Sequence, residues 1–329
     1  MYMIDDVYSH KNILMIQSRQ FKVYTHKFKL PLETAYGIWS TKESIILREE
    51  NISGKITFGE ISLTPHFYPY TILDLLPLVD RWTHFKSFSD NELFSSAISC
   101  LDSEIWGYQF ENENKDVVFS AEIINSDFPI DASIFKKKIG IKSVIEEIEE
   151  VKFLLGKYHS NIEFRLDANE SLTSEELLMW NQTFKDEQRL QFIEQPLPRD
   201  QYLEMLDLQD VLSIKLSIDE SLVFVNDLSF FKDKGWKGYY TIKPSMFRDW
   251  EHIISFIKSN PDHCIISTSF ESPFGYEATC RCAKLSNLVG GLDRKLFKNS
   301  KHEFLEHHKR AMIPGSVTLK MLNKLWNEL

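Results

Sequence analysis

The sequence predicts an α/β protein built around a parallel β-barrel, with a separate α+β unit in front of it. Three observations carry this. After about residue 116, short apolar stretches alternate with longer stretches of helical periodicity, the rhythm of strand–helix–strand units with right-handed crossovers. Up to eight such strands can be counted, which favours a closed barrel over an open sheet. No GxGxxG opens a first βα turn, as a dinucleotide-binding open sheet would require.

The elements follow in chain order. At 329 residues the chain fits two domains, or a barrel with an attachment. SIILREE and GKITFGEISLTP alternate with period two and predict an antiparallel hairpin or meander. Helical segments follow, including NELFSSAISCLDSEIWGY (91–108). The barrel strands are VVFSAEII (117–124), FKKKIGI (135–141), IEFRLDA (162–168), LQFIEQP (190–196), LSIDES (216–221), GYYTIKPS (238–245), CIISTSF (264–270) and LVGGLD (288–293). Between them, SVIEEIEEVKFLLGKY (143–158) sets Val144, Ile148, Val151 and Leu155 on one helical face. SLTSEELLMWNQTFKD (171–186) opens on a Thr173/Glu176 capping box, and WEHIISFIKSN (250–260) forms a third helix.

Composition bounds the function. A chain that is 43% hydrophobic and 13% aromatic can fill a sizeable core. A formal charge of -10 argues against a general nucleic-acid binder, although a local lysine cluster or a metal can still receive an anionic substrate. Cys100, Cys264, Cys280 and Cys282 include no CxxC pair and are expected as inert, reduced thiols. No apolar run is long enough to span a bilayer, and MYMIDDVYSHKN lacks a signal pattern, so a soluble cytoplasmic protein with no membrane partner is expected.

The chemistry gathers at strand ends. Asp167, Glu194 and Asp219 close three consecutive strands, each about one βα unit after the last. An Asp or Asn at one strand end is ordinary turn chemistry. Three carboxylates in register on a barrel converge on its mouth, where like charges repel unless a cation joins them. Hard oxygen ligands of this kind suit Mg²⁺, or Mn²⁺. On the flanking strands, period-two alternation puts Lys136 and Lys138 on one face, and GYYTIKPS carries Lys243. Lys137 then points outward, where an apolar residue is expected. A lysine beside a cation and another lysine has a lowered pKa and can act as a base. The set is suited to removing a proton alpha to a metal-bound carboxylate.

KKKIG, RLDAN, FIEQPL, SIDES, IKPS and STSFESPFG, in this order, resemble the enolase superfamily, its muconate-lactonizing branch, and within that the o-succinylbenzoate synthase family of menaquinone biosynthesis. GEISLTPHF is similar to the superfamily's capping-domain signature, and MIPGSVTL (312–319) to its C-terminal return. The resemblance implies an incomplete TIM-type (β/α)7β barrel over residues 116–302. It implies an α+β capping domain over 1–115, joined by 303–329. It implies Mg²⁺ on Asp167, Glu194 and Asp219, with Lys138 and Lys243 as the catalytic pair on opposite faces of a small carboxylate substrate. Lys136 would lie near Lys138, with Arg165 and Asn169 behind the metal ligands. Ser267, Thr268, Ser269 and Glu271 would meet the substrate's side chain, and Gly291, Leu292 and Asp293 would end the eighth strand. FPIDASI departs from the family's PINGL-like barrel start, and the specificity loops near residues 20–40, with TAYG (34–37) as a loop tip, do not align.

The activity implied is syn dehydration of 2-succinyl-6-hydroxy-2,4-cyclohexadiene-1-carboxylate to o-succinylbenzoate through an enediolate, which makes the protein a carbon–oxygen lyase. The alternative within the superfamily is an N-acylamino acid racemase or dipeptide epimerase. An epimerase is expected to carry a DxD-like pair at the eighth strand, and LDRKLF offers only Asp293. A catalytically dead barrel would have lost a ligand or a lysine, and none is lost.

Overall fold

The structure is a computed structural model that describes residues 16–34, 37–64, 67–85, 89–108, 118–123, 133–294, 311–312 and 317–329. The amino-terminal unit is an antiparallel meander of β1 (Ile16–Thr34), β2 (Gly37–Asn51) and β3 (Ile56–Ser62), followed by α1 (Ile72–His84) and α2 (Glu92–Asp102). The expected hairpin is therefore present. Asn91 caps α2 by accepting the Phe94 amide, which satisfies one orphan donor of its first turn. Alternation splits β2 and β3 between two cores. Ile45, Leu47 and Ile61 pack on Leu75, Val79, Trp82, Phe94 and Ala97 of the two helices. Ile46 and Phe58 face the other way and join the barrel core.

The barrel follows as β4 (Val118–Phe119), β5 (Glu122–Ile123), β6 (Ile134–Lys138), α3 (Val144–Lys157), β7 (Glu163–Asp167), α4 (Ser174–Phe184), β8 (Leu190–Glu194), α5 (Tyr202–Leu208), β9 (Leu216–Ile218), α6 (Glu220–Val225), α7 (Leu228–Asp233), β10 (Tyr239–Ile242), α8 (Trp250–Ser259), β11 (Cys264–Ile266) and α9 (Pro273–Ala283). The chain ends with β12 (Ala311–Met312) and α10 (Leu319–Glu328). Strands β5 to β11 form one seven-stranded parallel sheet in chain order. The eighth stave is shorter than expected from LVGGLD. It consists of single bridges from Gly290 to Ser120 and from Gly291 to Ser267, and these close the ring. Glycine is required there, because a Cβ on Gly290 would lie 2.9 Å from the Ile266 carbonyl oxygen. The fold is thus the incomplete (β/α)7β barrel with an α+β cap.

Local chemistry explains the elements. Thr173 and Glu176 form the expected capping box on α4, and Ser143 and Glu146 form a second on α3. The first expected strand, 117–124, is divided. Val118–Phe119 pairs antiparallel with Ala311–Met312, and only Glu122–Ile123 joins the barrel sheet. Arg48 donates to Asn323 of α10 at 3.0 Å and Lys22 to the Trp326 carbonyl at 2.6 Å, so the carboxy-terminal helix docks on the amino-terminal sheet. The chain start, most of FPIDASI, the middle of TAYG, much of MIPGSVTL and both expected domain boundaries lie outside the described residues. All four cysteines are buried and free. No described helix is long and apolar enough to cross a membrane.

Candidate active site

The carboxyl ends of the strands gather the polar side chains. Register fixes the first contacts, since Lys138 lies beside Asp167 and Asp167 beside Glu194 on neighbouring strands. Asp219 follows β9 directly, and Lys243 follows β10. Four of the five non-glycine residues with positive φ among those described, Asn169, Glu170, Gln195 and Phe270, stand just past barrel strands. Backbone strain of this kind collects at functional sites.

The three acids are buried together. Lys136 donates from one ammonium to Asp167 Oδ2 at 2.9 Å and to Glu194 Oε1 at 2.7 Å. Lys243 donates to Asp219 Oδ2 at 2.5 Å. Burial pushes the Glu194 carboxyl up to about 7, with Asp167 and Asp219 adding repulsion and Lys136 opposing it. Burial and the neighbouring Glu220 push Asp219 up to about 6. Burial acts the same way on Asp167, but Lys136 outweighs it and holds that carboxyl below its ordinary value.

The lysines divide by partner. Lys136 and Lys243 are desolvated, yet their carboxylate partners outweigh burial and hold both pKa values up. Lys138 forms no ion pair or hydrogen bond among the described residues. Burial lowers its pKa, Asp167 and Glu220 oppose the shift, and Lys136 and Lys243 reinforce it. Lys138 stands on β6 and Lys243 at the end of β10, four staves apart in a ring of eight, so they face one another across the mouth.

Among the described residues no cluster of His, Cys, Asp and Glu has the side-chain geometry of a metal site, and two ammonium groups lie against the acids. The donor set nevertheless fits a hard dication. A single nitrogen reaches both Asp167 and Glu194, and Asp219 Oδ1 is buried with no hydrogen-bond partner. Buried carboxylates lacking a donor are what an oxygen-ligated cation satisfies.

The supporting residues divide less evenly than the sequence predicts. Asn169 donates to Glu220 Oε1 at 3.1 Å, which ties the ends of β7 and β9 together. Arg165 makes no ion pair with the three acids among the described residues, although the Glu194 charge acts on it. It lies lower in the barrel, donating to Gln191 at 2.7 Å and to the Val289 carbonyl at 2.8 Å. Lys137 does point outward, and Glu150 of α3 neutralises it at 2.9 Å. Ser267 donates to the Gly291 carbonyl at 3.1 Å, and Asp293 accepts the Ile123 amide at 3.3 Å. Thr268, Ser269 and Glu271 are turned inward. Ser245 donates to Glu271 at 2.8 Å, Thr268 at 2.5 Å and Ser269 at 3.0 Å, and Lys42 of the cap reaches Ser269. Their buried side chains join barrel to cap.

Several residues escape the sequence reading. Glu147 accepts the amides of Gly140, Ile141 and Lys142 at 2.6, 2.9 and 3.0 Å and so fixes the turn after Lys138. Gln195 accepts the amides of Asp219 and Ser221, both at 3.0 Å. Glu60 of β3 accepts the Ser272 and Gly275 amides. The one available signal was a charged residue inside an otherwise buried strand, at Lys42 and Glu60.

Fold and site together define an incomplete (β/α)7β barrel with buried acids and lysines gathered at the carboxyl ends of its strands. Residues 131–245 match the family described as enolase C-terminal domain-like, and this segment is such a domain. The chain is 24% identical to the o-succinylbenzoate synthase of Thermosynechococcus vestitus (strain NIES-2133 / IAM M-273 / BP-1) over 274 residues, 77% of this chain and 84% of the relative. Its fold is that of the o-succinylbenzoate synthase crystal structure from Thermosynechococcus elongatus BP-1, complexed with Mg in the active site. The TM-score is 0.75 at 20% identity, covering 95% of this chain and 100% of that one. The L-Ala-D/L-Glu epimerase of Bacillus subtilis follows at a TM-score of 0.70 and 17% identity, with 87% and 92% covered.

Proposed function

We propose that the protein is a Mg²⁺-dependent o-succinylbenzoate synthase of menaquinone biosynthesis. It would carry out the syn dehydration of 2-succinyl-6-hydroxy-2,4-cyclohexadiene-1-carboxylate. The observation that carries this is the asymmetry of the lysines. Lys138 is unpaired with a lowered pKa, while Lys243 is held charged against Asp219. A one-base reaction is served by that division, since only Lys138 has to move a proton.

The residues then have distinct tasks. Asp167, Glu194 and Asp219 would hold the Mg²⁺, which supplies positive charge to the carboxylate of the substrate. Lys138, as the neutral amine, takes the proton from the carbon alpha to that carboxylate and leaves an enediolate. The ammonium of Lys138 then returns the proton to the hydroxyl on the same face. The C–O bond breaks, water departs and the ring becomes aromatic. Lys243 stays protonated across the ring and stabilises the enediolate electrostatically. Lys136 neutralises Asp167 and Glu194, and Asn169 and Glu220 brace the strand ends. In this reading residues 116–302 form the catalytic domain, and 1–115 with 303–329 form the cap.

The second reading, N-acylamino acid racemase or dipeptide epimerase, is favoured by the epimerase fold relatives and by the same facing lysines. It requires Lys243 to leave Asp219 and move a proton. The deciding assay incubates the wild-type protein and Mg²⁺ with the cyclohexadiene substrate and, separately, with both enantiomers of an N-acylamino acid in deuterated water. Fast dehydration, with α-proton exchange in at most one enantiomer, supports the synthase. Exchange in both enantiomers without dehydration refutes it. Lys138→Ala should lower dehydration by about 10²–10⁴-fold and leave Mg²⁺ binding nearly intact.

A further inference from the structure

Three of the five non-glycine residues with positive φ among those described follow the acid-bearing strands β7 and β8: Asn169 at 42°, Glu170 at 70° and Gln195 at 35°. Asparagine tolerates this region, but glutamate is not favoured there. Such a conformation persists only where the surroundings hold it. At Glu170 the holding group is Arg199, in the connection between β8 and α5. Its amide and Nε donate to Glu170 Oε1 at 2.8 and 2.7 Å, and its Nη2 donates to Oε2 at 2.5 Å. The guanidinium meets the carboxylate as a two-pronged fork, which a lysine cannot do. Phe67, after β3, lies over that guanidinium, with the ring centroid 4.3 Å from Cζ. A loop that needed only a stable turn could carry glycine at this φ with no steric cost. The chain instead keeps a glutamate there and matches it with an arginine.

Arg199 also reaches the far side of Glu194. Its carbonyl accepts from Ser221 Oγ at 3.1 Å, two residues beyond Asp219. Ser221 Oγ in turn accepts from Gln195 Nε2 at 2.7 Å, and Gln195 Oε1 holds the Asp219 and Ser221 amides. The Glu170 amide donates to the Gln195 carbonyl at 2.8 Å. One residue is therefore bonded both to the segment after Asp167 and to the segment after Asp219. The three buried carboxylates repel one another, so the strand ends that carry them need a tie. Lys136 joins Asp167 to Glu194, and Lys243 takes Asp219, so among the described residues neither ammonium spans β7 to β9. Asn169, through Glu220, and Arg199 do span it.

We propose that Arg199 is a positioning residue that ties the ends of β7 and β9 together and so fixes the spacing at which Asp167 and Asp219 meet a divalent cation. It acts through the strand ends, with no contact to the cation or the substrate. With the tie in place, the acids are ordered before the cation arrives. Without it, part of the binding free energy goes into ordering the two strand ends. This rests on the Mg²⁺ site proposed above.

The test uses the full chain with Arg199→Met, Glu170→Gly and the double variant. Glycine adopts the φ of residue 170 freely, so Glu170→Gly removes the carboxylate while relieving the strain, and the turn stays folded. Calorimetric titration with Mg²⁺ reads the metal site. Partners that orient metal ligands are worth about 10–100-fold in affinity, and Arg199 acts one bond further out, so the Kd should rise about tenfold in each single variant. It should rise no further in the double variant, since both changes remove the same tie. Turnover at saturating Mg²⁺ should be little altered. Hydrogen–deuterium exchange of amides 169–171 and 219–221 in chelator reads the tie itself. In Arg199→Met it should accelerate by about tenfold, with β10 and β11 unchanged. An unchanged Kd in either single variant overturns the proposal, and so do losses that multiply in the double variant or a fall in kcat at constant Kd. A wild-type protein that binds no Mg²⁺, or does not dehydrate the substrate, counts against the function alone, because the exchange result still decides the tie. Unchanged exchange in both segments overturns it.

Discussion

Replacing Lys136 with Met tests the electrostatic account of the site most directly. One ammonium lies 2.9 Å from Asp167 and 2.7 Å from Glu194, whose side chains are 13% and 2% exposed. Met keeps most of the stem volume, so packing changes little. Two buried carboxylates are left facing each other with no cation between them. Breaking a buried pair in this way costs roughly 3–5 kcal/mol. Glu194, already pushed up to about 7, can take a proton and relieve part of the cost. Without Lys136 to hold it down that carboxyl rises further, and its proton is taken up more completely as pH falls, so the loss is larger at about pH 8 than at about pH 6. In calorimetry with chelator, the variant should melt about 10 °C below wild type at about pH 8 and less far below it at about pH 6. Mg²⁺ binding the native state at about 100-fold over its Kd adds about 2.7 kcal/mol. The uncompensated variant should therefore gain at least as much melting temperature from Mg²⁺ as wild type does. An unchanged Tm in chelator, or no response to Mg²⁺ in either protein, would refute the reasoning.

Glu147→Ala strips the acceptor from three successive amides and should cost about 3 kcal/mol in urea unfolding, while Glu147→Gln, which retains one acceptor oxygen, should cost less. Gly140→Ala adds a Cβ that would lie 1.6 Å from Ser171 Oγ at φ +78°. It should destabilise by about 2 kcal/mol or more and disturb Lys138, seen as lower turnover with Mg²⁺ binding retained. Lys42 gives a pH signature. Burial, opposed by Glu271 and Glu60, lowers its pKa from 10.5 to about 8, so between those values the unfolded chain binds more protons than the folded one. Stability contributed by this group therefore rises with pH across that window, by about 3 kcal/mol, and the rise should be missing in Lys42→Met when unfolding free energies are compared from about pH 8 to pH 10.5.

The sequence alone determined the parallel barrel, its carboxyl-end acids and the lysine alternation, because these are local patterns. Period two places Lys136 and Lys138 inward and Lys137 outward whatever surrounds them, and one acid per βα unit brings Asp167, Glu194 and Asp219 to one rim. Tertiary structure decided which lysine is paired, because that depends on side-chain reach across strands and not on spacing. It placed Arg165 a layer below the acids, where Gln191 and the Val289 carbonyl receive it. It also gathered Thr268, Ser269 and Glu271 into one buried hydrogen-bond network. Lys42 and Glu60 stand 227 and 212 residues from the carbonyl and amide they bind, at Ser269 and Ser272. A contact over that distance leaves no period in the chain. Its one trace is a charged residue buried inside a strand, whose cost is offset by a partner that only the folded molecule supplies.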